Sequence, residues 1–513
     1  MSFTQRAPES GDCAAKLQLG TIFLLIAMVL FAAVEQDLRS ASPTDRTTLH
    51  AIPVALSQIH SDWPNDYTAN ENLATDYHAN LSTVGLYTAI KMAGEKSYDA
   101  TGGAYFWYAD DRGFADYVYM AFRIFGESNT SLFDFYFLIL ILSVMTFLST
   151  YHQNDMVRYL CAVFLVSFFL CIQLWRHTYL VNQTPISISE SRMFSIIAAL
   201  PLLHLFYFSL SRSSSITRAE ISGLLLQILI IGFLIHCRSS LKSDVLLFMA
   251  VVAGIYVARI VSGTLHRPII WRRPVLSVLA LMTVCFAAVP AYHANVFHPA
   301  YKSEGGSRTV WHNLVIGLSY NTYFQNLTTQ DGSDRMAIHA VLRASMEDAD
   351  KEEIVDKVEQ ALNSLSNHDR FDWKSYEEKA RKYYLDLIDK NREHYFRMIL
   401  LEKPVLVLSY YKYLFFPEHF LEKYGHKWTG SPRMLEYLGY SFVISILVGV
   451  VFRRLGKKML SGPYLFYPAA LACGLFLVPV IFYPMITTIA GSFFYVAFLF
   501  YALVTSAIAF AAN

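Results

Sequence analysis

Apolar residues in the 513-residue chain gather into runs separated by short polar breaks, and most runs are of similar length. Crossing a hydrocarbon core takes roughly 20 apolar residues in a helix. Ten stretches approach that length: 18–34, 132–150, 156–175, 193–210, 221–237, 244–262, 275–292, 436–452, 463–483 and 491–510. A bilayer offers no water to backbone groups, so isolated spans of this kind are helical. The pattern predicts an all-α polytopic membrane protein of about ten transmembrane helices. The first run follows a short basic segment and precedes Ala32 and Ala33, features a signal peptide shares; the reading carried forward is an uncleaved first span.

Lysine and arginine in the short connections set the orientation. With the N-terminus inside, the cytoplasmic segments carry Arg6 and Lys16, then Arg158, Arg212 and Arg218. Arg267, Arg272 and Arg273 follow, and the series closes with Arg453, Arg454, Lys457 and Lys458. The opposite orientation would place TLHRPIIWRRP and RRLGKK outside, so both termini are expected in the cytoplasm. The organisation is a cytoplasmic N-terminus (1–17), a first span (18–34) and a first extracytoplasmic loop (35–131). A six-helix region (132–292), a second extracytoplasmic segment (293–435) and a C-terminal region of three spans (436–513) complete it. In the second outer segment Glu353 with Lys357, and Glu378 with Lys382, stand at i,i+4, the spacing of solvated helices. The apolar stretch RMILLEKPVLVLSYYKYLFF after them is broken by Lys403, Pro404 and Lys412, and reads as a helix lying on the membrane.

Composition agrees with this plan. Hydrophobic residues make up 54% and charged residues 16%, where a soluble chain carries about a quarter charged. Aromatics reach 15%, as interfacial belts of Trp and Tyr require. A net charge of +1 provides no field to draw in nucleic acid, and that class of partner is set aside. The six cysteines form no CxxC or Cys/His spacing and read as packing residues without disulfide or zinc roles.

Candidate chemistry concentrates at the outer edge. In YFWYADDRGFADYVYMAFRIFG, Asp110, Asp111 and Asp116 gather between aromatics, just before a membrane-entering helix. Adjacent carboxylates there suit general-base work or a divalent cation such as Mg or Mn, held by Asp110 and Asp111. Gly113 lets backbone come close to a neighbour. The plainer reading makes Asp110 or Asp111 the cap of the following helix. Arg176, Arg192, Arg238 and Lys242 fall outside, against the positive-inside trend. Holding a phosphate or pyrophosphate would justify that placement; snorkelling, or pairing with Glu190 and Asp244, is the ordinary alternative. In AYHANVFHPAYKSEGGSRTVWHNL, His298, Arg308, Trp311 and His312, with His293, mix aromatic faces and hydrogen-bonding groups as an acceptor or sugar site does; an interface belt has the same composition. No P-loop, GxSxG elbow or HExxH is present.

One early span, a large acidic first outer loop, many short-looped spans and a late outer helical segment together resemble the GT-C superfamily of membrane glycosyltransferases. DDRGFADYVYMAFRIFG looks like the loop-to-helix segment of bacterial members, and REHYFRMILLEKPVLVLSYYKYLF is similar to the helix they lay on the membrane. The resemblance implies sugar transfer from a polyprenyl-phosphate donor to a glycan, lipid or protein acceptor, at the periplasmic or exterior face of a bacterial inner membrane. It also implies a first-loop Asp as base or metal ligand, carried here to Asp111 or Asp110. Glu35, Asp37, Asp62 and Asp66 stand nearer the first span and are rival positions. Arg238 and Lys242, with Arg176 and Arg192, would hold the donor phosphate. Three other classes remain open from the residues: a polymerase or ligase using a polyprenyl-pyrophosphate-linked donor, a lipid or solute transporter, and a non-catalytic scaffold whose outer helices bind a protein partner. The transporter should carry ionisable groups in mid-span, of which His204 is the clearest.

Overall fold

The computed structural model describes residue 55 and residues 113–151, 154–181, 191–210, 217–238, 241–261, 282–284, 287–289, 291, 310–319, 321–328, 334–345, 373–405, 443–452, 464–469 and 486–511. Among these the regular structure is helical, so the expected all-α class holds. The helices are α1 (Gly113–Phe125), α2 (Asn129–Thr150), α3 (Asp155–Val181), α4 (Ser191–Leu210), α5 (Arg218–Cys237) and α6 (Leu241–Val261). They continue with α7 (Val310–Leu318), α8 (Thr322–Thr328), α9 (Asp334–Ala344), α10 (Trp373–Lys390), α11 (Arg392–Arg397) and α12 (Ile486–Ala511). Six of the ten predicted spans thus appear as α2 to α6 and α12. Helical turns also occur at 282–284, 287–289, 443–451 and 464–469, and the first span lies outside the described residues.

Local chemistry sets the helix boundaries. Gly126 ends α1 at φ +91°, a left-handed position that a side chain would strain. Ser128 then caps α2 by accepting a hydrogen bond from Thr130 N at 3.3 Å. Thr217 and Glu220 form a reciprocal capping box at the start of α5: Glu220 N donates to Thr217 Oγ1 at 3.2 Å, and Thr217 N donates to Glu220 Oε2 at 2.8 Å. The third helix runs to Val181, six residues past the predicted end of its apolar run, because WRHTYLV keeps the helical backbone bonded beyond the hydrocarbon. Arg176 therefore sits in the helix, not in the loop after it.

α1 to α6 and α12 share one aromatic-rich core that includes Tyr117, Tyr136, Tyr159, Phe147, Phe164, Phe194, Phe206 and Phe494. Side-chain bonds sort its two ends. At one end Tyr136 Oη donates to Met193 O at 2.7 Å and Tyr117 Oη donates to Leu132 O at 2.5 Å. At the other end Asn154 donates to Tyr207 Oη, and Tyr159 Oη donates to Ala502 O at 2.6 Å. The start of α5 lies there too, since a Cβ on Gly223 would fall against Thr150 and His204. Consecutive helices from α2 to α5 therefore alternate in direction. The connection holding Arg238 comes out at the end opposite Arg158 and Arg218.

The outward faces are as apolar as the inner ones. Ile141, Leu142 and Met145 of α2, Ile221, Leu225, Leu226 and Leu229 of α5, Val257 and Val261 of α6, and Phe500, Leu503 and Phe510 of α12 are all exposed. Thr130–Thr150 and Arg218–Cys237 are each long and apolar enough to cross a bilayer. Helices hydrophobic all round, carrying exposed leucines, belong in lipid. This is the surface of an integral membrane protein.

A polar knot crosses the interior. Gln227 Nε2 donates to Ser143 O at 2.9 Å, Ser143 Oγ donates to Gln227 Oε1 at 2.8 Å, and Gln227 Nε2 reaches His204 Nδ1 at 3.2 Å. His204 is fully buried and stacks on Phe147, with ring centroids 4.6 Å apart.

A second core is built by α7 to α11 with Val315, Ile316, Leu318, Phe324, Ile338, Val341, Tyr376, Tyr384 and Met398. Glu378 and Lys382 lie on the solvated face of α10, as their spacing predicts. The expected surface-lying helix begins as α11, passes through a π turn at Met398–Glu402 and is helical to 405. Pro404 lacks the N–H that an α-helical ladder would use, a local reason for the widened turn.

Candidate functional site

α1 and α5 meet at the end of the bundle that carries Arg238. A Cβ on Gly113 would fall onto the backbone carbonyl of His236, so only glycine permits this approach. One turn on, Asp116 Oδ2 and His236 Nε2 are 2.6 Å apart. A carboxylate only accepts, so Nε2 carries the proton and donates. His236 is buried and Asp116 half-buried. Phe114 and Tyr117 of α1 stack on each other, and both meet Phe194 of α4 edge-on. These rings hold α1 across the bundle end.

Arg238 closes α5, its backbone N–H donating to Leu234 O at 2.8 Å. It turns the chain in extended conformation, and Leu241 N donates back to Arg238 O at 3.2 Å as α6 begins. Lys242 lies in the first turn of α6, and Asp244 accepts a hydrogen bond from Ser195 Oγ at 2.9 Å. Ser195 stands one turn after Arg192 in α4, so the starts of α4 and α6 join the same neighbourhood as the end of α5. The backbones of Arg176 and Arg192 are helical, and their side chains lie outside the described residues, as do Asp110 and Asp111 entirely. The two aspartates precede Gly113 in the chain by three and two residues. Glu35, Asp37, Asp62, Asp66 and Glu190 lie outside the described residues too.

The second predicted cluster has a different character. Trp311 and His312 open α7, and their backbone N–H groups donate to Glu377 Oε2 and Oε1, each at 2.9 Å. The buried Glu377 carboxylate thereby caps the helix start and meets its dipole. The His312 ring is buried, with Nδ1 2.8 Å from Tyr376 Oη. Trp311 leans on Tyr384 and lies under the Arg381 guanidinium at 5.6 Å. Burial pushes the Tyr384 phenol well above its ordinary range. His298, Arg308 and His293 lie outside the described residues.

Among the described residues no three His, Cys, Asp or Glu side chains converge to hold a metal ion. Sequence reading included Asp116 in the acidic group but missed His236, which stands 120 residues away at the edge of an apolar run. Its placement beside the outer basic loop was the only signal.

No protein-family model matches the chain, and no curated protein matches it. A solved structure similar to it is the crystal structure of ArnT from Cupriavidus metallidurans in the apo state. The identity is 10%, the TM-score 0.29, and the likeness covers 96% of this chain and 78% of that one.

Proposed function

We propose that this integral membrane protein is a glycosyltransferase of the GT-C type. It takes a sugar from a polyprenyl phosphate and passes it to a glycan, lipid or protein acceptor at the extracytoplasmic face of a bacterial inner membrane. One observation carries the reading: α1, which follows Asp110 and Asp111 directly, is locked against the last turn of α5 by Gly113 and the Asp116–His236 bond, two residues before Arg238. The Asp116 carboxylate and the Arg238 connection, far apart in sequence, thus share one bundle end.

Sugar transfer needs both charges. The acceptor oxygen forms a bond to the anomeric carbon and gives its proton to Asp111, with Asp110 beside it. The bond from that carbon to the phosphate oxygen breaks, and the electron pair leaves with the polyprenyl phosphate. Arg238 and Lys242, supported by Arg176 and Arg192, neutralise the charge gathering on that phosphate. Asp110 and Asp111 would hold a divalent cation, Mg or Mn, which would add positive charge toward the departing phosphate. Trp311, half-buried under the Arg381 guanidinium, stands as an acceptor-side candidate, whereas the His312 ring is closed into the second core against Tyr376.

The test is transfer from a labelled polyprenyl-phosphate sugar by the full chain in liposomes. Asp111→Asn or Asp110→Asn should lower turnover by at least about 100-fold, the scale of losing a transition-state charge partner. Arg238→Gln should act similarly on turnover. Turnover unchanged in both aspartate variants removes them from the chemistry. A response to Arg238→Gln alone, seen only with a pyrophosphate-linked oligosaccharide, moves the protein to the polymerase or ligase class.

A further inference from the structure

Two buried polar atoms, His204 Nε2 and Tyr151 Oη, stand on neighbouring rings in the half of the bundle that carries Arg158 and Arg218. Neither has a hydrogen-bond partner among the described residues. The state of the histidine follows from its other nitrogen. Ser143 O can only accept, so Gln227 Nε2 gives it one hydrogen at 2.9 Å and has the second left for His204 Nδ1 at 3.2 Å. Nδ1 therefore accepts, the ring is neutral, and its own proton is on Nε2. His204 is fully buried, and no described residue takes that proton.

The packing gives the direction in which Nε2 points. Nδ1 faces Gln227, and the next ring atom, Cε1, lies against Gly223, 3.3 Å from where a Cβ would stand. Nε2 follows Cε1 around the ring, so it points back toward the first turn of α5, where Glu220 is buried. Tyr151, the C-cap of α2, sets its ring edge-on to His204 with centroids 5.6 Å apart. Burial, and then the Glu220 charge, push the Tyr151 phenol above its ordinary range; that carboxylate is near, yet Oη makes no aligned hydrogen bond. Glu220 Oε2 is already engaged by the N–H and the hydroxyl of Thr217. Charge and donor type then select the occupant. The N–H donor turns away a cation, the carboxylate turns away an anion, and an acyl chain satisfies neither polar atom. A neutral oxygen that accepts from His204 and bonds Tyr151 answers both, and water is the smallest molecule that has one.

We propose that His204 Nε2, Tyr151 Oη and Glu220 hold a water molecule, and that this site is the inner end of a wet inlet that stops at Gln227. The inlet enters from the bundle end that carries Arg158 and Arg218. Past Gln227, α5 has no polar side chain until His236, and Ile228, Ile231, Leu234 and Ile235 are buried. The inlet is separate from the Arg238 end and stands whether or not that end transfers a sugar. It gives the mid-bundle histidine a role other than transport, which would need polar groups along the whole crossing.

Nitrogen NMR of the full chain, labelled at histidine and held in lipid bilayers, tests this. The His204 ring signals are those lost in His204→Gln or, should that variant not fold, those moved by Tyr151→Phe. The ring should be neutral with its proton on Nε2, and water protons should pass magnetisation to that N–H. Tyr151→Phe keeps the aromatic ring and removes only Oη, so most of the transfer should be lost. A proton found on Nδ1 overturns the inference. So does an Nε2–H that receives nothing from water, or a transfer unchanged in Tyr151→Phe. Liposomes containing the full chain should take up protons no faster than empty ones. Faster uptake that Tyr151→Phe slows overturns the closed end at Gln227 and makes the inlet half of a crossing.

Discussion

Two histidine–carboxylate neighbourhoods in this protein use nearly the same residue types to opposite ends. In the second core, Glu377 is buried, and both its oxygens are taken by the first N–H groups of α7, while His312 closes onto Tyr376. Both Glu377 oxygens serve the helix start. At the bundle end Asp116 is half-buried and holds His236, whose own chain leads directly into Arg238. The first arrangement consumes its charge in building the fold. The second uses one hydrogen bond to hold α1 against the last turn of α5, just before Arg238. Residue type alone does not mark a site; what the pair leaves next to itself does.

The contrast can be broken by substitution, and the largest effect belongs to the cap. Glu377→Ala strands two buried N–H groups and should cost about 3 kcal/mol of stability. Urea or thermal unfolding of the purified chain measures it, with protease cutting near 310–345 as a local readout. Next comes Gly113→Ala, whose added methyl meets the His236 carbonyl and forces α1 away at about 2 kcal/mol. It should also depress sugar transfer more than its loss of stability explains, which steady-state rates at a temperature where the variant stays folded would show. Asp116→Asn, His236→Asn and their double variant should reveal a coupling of about 1.5 kcal/mol in a double-mutant cycle. If Asp116→Asn leaves transfer untouched while Glu377→Gln abolishes it in folded protein, the two neighbourhoods have been assigned the wrong way round.

Smaller still is Thr217→Ala, which removes one half of the α5 capping box and should cost about 1 kcal/mol. It calibrates the others, being a structural loss at the end of the bundle away from Arg238. Outside that ranking stands a pH dependence. Lys403 has its folded-state value lowered by burial to about 8 from 10.5. Between those two values the unfolded chain binds the proton and the folded chain does not, so stability should rise with pH across that window. Relative to Lys403→Met, wild type should gain stability from pH 8 to 10.5 and show a flat difference below pH 7.

The sequence made the scaffold legible because a bilayer imposes a length and charge rule that survives without any partner. The runs at 132–150, 193–210 and 491–510 match α2, α4 and α12 within a few residues, and Arg158 and Arg218 share the bundle end opposite Arg238. The third run was read too short because WRHTYLV is not apolar, and hydropathy does not see a helix continuing past the hydrocarbon. The site was only half legible. Asp116 lay in a conspicuous acidic group, but pairing with His236 depends on how α1 crosses α5, and no local pattern encodes a contact 120 residues apart. Trp311 and His312 look like a sugar shelf on composition. Glu377, which decides their role, belongs to a charged stretch that reads as solvated helix.

The knot of Ser143, His204 and Gln227 has a consequence for how the bundle assembles. A helix apolar on every side carries no instruction about which way to face, and lipid accepts all rotations alike. Gln227 cannot turn outward without exposing its amide to hydrocarbon, so α5 has one rotation in which Ser143 of α2 and His204 of α4 both answer it. Those few polar atoms act as a locating pin. They fix the azimuth of α5, and through it the bearing on which His236 emerges to meet Asp116 two and a half turns further along.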